Sequence, residues 1–162
     1  MTEKLHKNLR LYPWYVGLFH AYFWLPVYFL FFNSKLDLSD VLYLASIYFA
    51  SVVVVEVPSG WFSDTFGRKK TLVTASCFLC VAYGLFIFAD SFWHFAIAQM
   101  FLAAGIAFNS GSDTSFLLET TQALDNEEVY GPCEAKAMKF NFLGTASAAV
   151  LGGLAAIPDY RG

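Results

Sequence analysis

One pattern recurs along the chain: long, nearly unbroken apolar runs separated by short polar turns. Such runs begin near Leu11, Val41, Thr71, Phe92 and Met138. A helix that crosses a bilayer needs about 20 consecutive, mostly apolar residues. Inside lipid every backbone polar group must be satisfied within the protein, so only helices and closed barrels span. Continuous runs of this length, without period-two alternation, are helical. Hydrophobic residues make up 57% of the chain and charged residues 14%, against roughly half and a quarter in soluble domains. The expected fold is therefore an all-α, polytopic membrane protein with about five transmembrane helices.

The runs and turns set the expected layout. Residues 1–10 form a cytoplasmic N-terminus, and spans cover 11–32, 41–62, 71–89, 92–118 and 138–157. The first run contains Pro26 and no small-residue cleavage site, so it reads as a retained span rather than a removable signal. Ser39 and Asp40 are the expected N-caps of the second helix, and Pro58 should bend it. Gly131 and Pro132 belong to a short lead into the fifth. Short turns make neighbouring helices antiparallel. With the N-terminus in the cytoplasm, Lys4, Lys7, Arg10, Arg68, Lys69, Lys70, Lys136 and Lys139 lie inside, and only Lys35 and Arg161 outside. That bias obeys the positive-inside rule. Trp14 and Tyr15 suit an aromatic belt at the inner interface.

Several function classes drop out. The net charge of −3 and the lack of a basic face give no nucleic-acid footprint. Cys77 and Cys80 form a C-x-x-C inside an apolar run, where they read as small residues on one helix face. No G-x-x-x-x-G-K-[ST], H-E-x-x-H or G-x-S-x-G occurs, and His6, His20 and His94 are dispersed. No catalytic residue, metal site or cofactor is expected, and the chain does not read as an enzyme.

The most informative segment is Gly60-Trp61-Phe62-Ser63-Asp64-Thr65-Phe66-Gly67-Arg68-Lys69-Lys70, between the second and third runs. Gly60 permits a neighbouring helix to approach closely. Gly67 permits the positive φ of a sharp reversal. Asp64 and Arg68 are spaced to pair across one helical turn. Arg68, Lys69 and Lys70 hold the loop inside and can meet anionic headgroups. The pattern G-x-x-x-D-x-x-G-R-K-K in this place resembles the signature loop of the major facilitator superfamily. Two flanking stretches extend the likeness: Glu56-Val57-Pro58-Ser59-Gly60, and Gly111 to Glu119. In the second, Asp113 stands where Glu is usual in that family and Glu119 where Asp is usual. The Arg of its fourth helix is missing; Gln99 sits near that place, which puts proton coupling there in doubt.

What the resemblance implies is a secondary active transporter from bacteria, a permease or antiporter of the inner membrane, moving a small solute by alternating access and coupled to protons. The chain would then be five helices of the six-helix N-terminal half, with the C-terminal half missing. In the resembled family that half docks on the loop and latches the outward-open state. The bland reading of the loop, a topology determinant only, stands beside this. So does a non-transporting scaffold or half-protein that associates with another chain.

Ionisable groups in apolar runs are costly and therefore functional candidates. Glu119 is expected to pair with Arg68; the alternative is a solvated loop acid. Glu56 and Asp113 are coupling candidates that would share a proton; the alternative is that each is hydrogen-bonded locally. The resemblance places the first and fourth helices around the central cavity, so His20, Tyr22 and Asn109 are substrate-contact candidates, with simple packing the alternative for His20. The small residues Gly144, Thr145, Ala146, Ser147, Ala148, Gly152 and Gly153 make the fifth helix a close-packing one. Expected partners are membrane lipid, an unidentified small molecule and the missing half, with no nucleic acid.

Overall fold

The computed structural model describes residues 2–156. Among them every regular element is helical: α1 (Thr2–Phe19), α2 (Tyr28–Asn33), α3 (Leu38–Phe66), α4 (Arg68–Ile87), α5 (Phe92–Asn109), α6 (Ser112–Gln122) and α7 (Tyr130–Ala156). Single turns of 3-10 helix at Leu25–Val27 and Glu127–Val129 lead into α2 and α7. Three stretches are long and apolar enough to cross a membrane: α3, α4, and α5 taken with α6. Ile157, the expected end of the fifth span, and Arg161 lie outside the described residues.

The chain forms two compact units. One contains residues 30–113, the other residues 1–29 together with 114–162.

In the 30–113 unit, α5 is the centre. It packs antiparallel to α4: Phe86 meets Phe95 at one end and Phe78 meets Phe108 further along, with ring centroids 6.4 and 5.2 Å apart. It runs parallel to α3. The Ser59 hydroxyl donates to the Ala107 carbonyl at 3.2 Å, and the Ser63 and Ser112 hydroxyls are 3.1 Å apart. Gly105 makes the α4 contact possible, because a Cβ there would lie 3.1 Å from the Ala75 carbonyl oxygen. Leu44, Ala75, Ala82, Phe95, Ala98 and Ala103 are fully buried. Gln99 is buried among them, and no buried side-chain polar atom among the described residues lacks a partner.

In the other unit, α1 and α7 run side by side in the same direction. The Cys133 thiol donates to the Leu9 carbonyl, the Thr145 hydroxyl to the His20 carbonyl. Between these points Gly17 lies against Phe140 and Gly144. Tyr12, Val16, Leu117, Cys133 and Ala137 form the core.

The structure corrects several boundaries. The first run is not one helix. α1 ends at Phe19, and Tyr22 and Phe23 donate to carbonyls only two residues back, at 2.9 and 3.1 Å. Pro26 bars one continuous helix through the run, since it has no N–H and its ring would strike the Tyr22 carbonyl. Residues 2–10 are already helical, so the N-terminus is an extension of α1. The fourth run breaks at Ser110-Gly111, where Gly111 takes φ +71° and restarts the chain as α6. The N-cap of α3 is Asp37 rather than Ser39 or Asp40. α7 starts at Tyr130, eight residues before the expected span, with Pro132 in its first turn, where a missing N–H costs nothing.

Candidate functional site

The loop between α3 and α4 is a single residue. Gly67 ends one helix and begins the next with φ 89° and ψ 149°, a conformation that requires glycine. Its N–H donates to the Ser63 carbonyl at 3.0 Å; its carbonyl accepts from the N–H groups of Lys70 and Thr71 and from the Thr71 hydroxyl. Both orphaned helix ends are thus partly closed through one residue.

This corner carries the ion pair. The Arg68 guanidinium lies 2.8 Å from the Asp64 carboxylate. The spacing suggested one helical turn, but the pair bridges the junction, from the last turn of α3 to the first residue of α4. Arg68 also donates to the Ser63 hydroxyl at 2.7 Å, and Ser63 meets Ser112. Ser63, Ser112 and Ser59 carry no weight in the sequence reading, since serine in an apolar run gives no distinctive signal. In the fold they join the corner to the start of α6, next to the Gly111 break. Asp64 is largely exposed, so the ion pair alone adds little stability. Lys69 and Lys70 project freely from the first turn of α4.

Gly60 does not do in this structure what its sequence position suggested. It is exposed, and a Cβ there would meet nothing within 4 Å. Glu56 is also exposed and carries no side-chain hydrogen bond or ion pair among the described residues. Asp113 is half-buried in the first turn of α6. The Ser63–Ser112 register sets Glu56 about two helical turns, roughly 10 Å, away from Asp113 along α3. The two carboxyls are therefore not brought together. Glu119 lies exposed in α6, in the compact unit that does not contain Arg68.

His20 and Tyr22 flank the break after α1, with ring centroids 5.9 Å apart. The contacts continue through Trp24 to Tyr28, making a ladder of rings around the turn. The His20 Nδ1 lies 2.9 Å from the Val16 carbonyl. A carbonyl only accepts, so Nδ1 is the donor in this contact. Asn109 is buried at the end of α5, in the other unit.

Residues 14–161 match the sequence profile of the Major Facilitator Superfamily. No curated protein and no solved structure matches the chain. The profile covers far more than half of the sequence and contains the Gly67 corner together with both flanking stretches, and on that footing the chain belongs to the major facilitator superfamily, a family of integral membrane transporters.

Proposed function

We propose that the chain is the N-terminal part of a secondary active transporter that moves a small solute by alternating access, driven by protons. The observation that carries this is the Gly67 corner, with its Asp64–Arg68 pair held by Ser63. Rocking of two halves about a midplane site needs a contact that is strong in one state and absent in the other. Asp64, exposed at the end of a helix, suits docking by a helix N-terminus from a second half. Gly60, open on the same helix, leaves room for that approach.

Five spans with the N-terminus in the cytoplasm form the matching topology. α1 and α7 run parallel, which requires an odd number of crossings between them; α3, α4 and α5 with α6 supply three. Glu56, bare in an apolar helix, is the favoured proton carrier, with Asp113 in support. His20, Tyr22 and Asn109 are the proposed solute contacts, and Glu119 pairs with Arg68 when the loop closes. The inner membrane of a bacterium is the proposed location.

The test uses the complete transporter, read from the gene, in vesicles carrying a pH-sensitive dye. A panel of small solutes should include one that drives proton movement, and Glu56→Gln should abolish that movement. Arg68→Glu and Glu119→Arg should each cripple it, and the double reversal should restore part. Solute movement without protons would overturn the coupling, and a double reversal as inactive as either single one would overturn the Arg68–Glu119 pairing.

A further inference from the structure

The N-terminal extension of α1 presents a face that changes character at one level. At 100° per residue, Lys4, Lys7 and Arg10 share a side of the helix with Leu11, Trp14 and Leu18. The opposite side, with Leu9, Tyr12 and Val16, is the one packed in the core with α7. The outer face is bare: Leu11, Trp14 and Leu18 are 50, 58 and 73% exposed. Three cations and one acid, Glu3 at the far end, thus occupy one half of the stripe and apolar residues the other, and the change falls between Arg10 and Leu11. That is the order in which a phospholipid presents headgroup and chain.

α7 completes the arrangement. The Trp14 ring meets Phe140 edge-on, with centroids 4.8 Å apart, so the indole sits at the seam of two parallel helices. One turn nearer the N-terminal end, on the faces that carry these two rings, stand Arg10 of α1 and Lys136 of α7. An indole at the polar-apolar boundary is at its preferred depth in a membrane. Cations at that level attract anionic lipid, falling off over a Debye length.

We propose that the α1–α7 seam binds one anionic phospholipid of the leaflet nearest the N-terminus. Lys7, Arg10 and Lys136 hold the headgroup phosphate, and Leu11, Trp14 and Leu18 hold the first part of an acyl chain. The site is built from residues of one compact unit, and the basic Arg68-Lys69-Lys70 corner belongs to the other. It requires only that the chain spans a membrane, not that it transports.

The test places the full chain in phosphatidylcholine vesicles with or without phosphatidylglycerol. Trp24, Trp61 and Trp93 are replaced by Phe, so that Trp14 alone reports. Brominated phosphatidylglycerol should quench Trp14 several-fold more strongly than brominated phosphatidylcholine at equal amount. Each of Lys7→Gln, Arg10→Gln and Lys136→Gln should cut the preference by roughly fivefold, from the attraction expected per basic residue, and Lys69→Gln with Lys70→Gln should leave it unchanged. Lys7→Arg with Lys136→Arg should retain it, which separates lost charge from lost fold. Equal quenching by both lipids, or a preference that survives the Gln variants, would overturn the site. Displacement by soluble glycerol phosphate would overturn the lipid as its occupant.

Discussion

The Lys35 ammonium sits 3.1 Å from the carbonyl oxygen of Ala89, a residue 54 positions away, just beyond the end of α4. It satisfies a carbonyl at the helix end, where the macrodipole favours a cation. It also lies over the faces of Phe31 and Phe95, 5.5 and 5.8 Å from their centroids. The neighbouring Asp90 is 3.5 Å away but 86% exposed, so it adds little. Lys35→Met should therefore lower the melting temperature of the detergent-purified chain by the equivalent of about 1 kcal/mol, and Asp90→Asn should leave it unchanged. Equal effects would mean that the ion pair, not the carbonyl, is what Lys35 serves.

The glycines divide into two kinds with opposite expected behaviour. A Cβ on Gly144 would collide with the Gly17 carbonyl, and one on Gly152 with the Phe23 carbonyl. Gly144→Ala should cost about 1–3 kcal/mol, the usual range for overpacking. Gly60→Ala should be neutral or stabilising by about 0.5–1 kcal/mol, because it removes a flexible residue from the middle of α3 without a clash. Thermal unfolding in detergent distinguishes them. If the proposed docking at Gly60 is right, the same harmless alanine impairs transport in the complete protein.

Ser63→Ala removes a partner from both Arg68 and Ser112. Its expected cost is about 1 kcal/mol, read as faster hydrogen exchange at the α3–α4 corner and at the start of α6 together. Faster exchange at the corner alone would show that the two places are not linked through this hydroxyl.

Burial pushes the Cys133 thiol above its ordinary value of 9.0, and the nearby Lys136 charge partly opposes this. The raised value means the folded chain keeps the proton where an unfolded chain would lose it. Stability is therefore fully present below pH 9 and declines as pH rises through the folded-state value. Alkylation of Cys133 should show a midpoint above 9.0, and Lys136→Gln should move that midpoint higher still. A midpoint at the ordinary value would show that the first turn of α7 opens freely from α1.

The helices from α3 to α5 were legible because long apolar runs report their own length and because Gly67 and the Asp64–Arg68 spacing report a corner. The break after Phe19 was less so. Pro26 signals an interruption, but it does not reveal that α1 stops seven residues before it, at Phe19. At that position the His20 carbonyl accepts both the Tyr22 N–H and the Thr145 hydroxyl of α7, and no local pattern near His20 encodes the second partner. The Gly111 break was hidden for a similar reason, since glycine is common in membrane helices. In the candidate site, charged residues stood out against their apolar surroundings, whereas Ser59, Ser63 and Ser112 became visible only as neighbours in space.

The dependence of the α1 turn on α7 bears on how the chain is made. The His20 carbonyl takes the Tyr22 N–H locally, and its second hydrogen bond comes from a hydroxyl 125 residues downstream. While the ribosome is still making the middle helices, that carbonyl has only its local bond, in or near lipid, where polar groups short of partners are expensive. The 30–113 unit draws its contacts from nearby sequence and can assemble first. α7 therefore inserts alongside the earliest helix and completes its turn only after the middle helices are made.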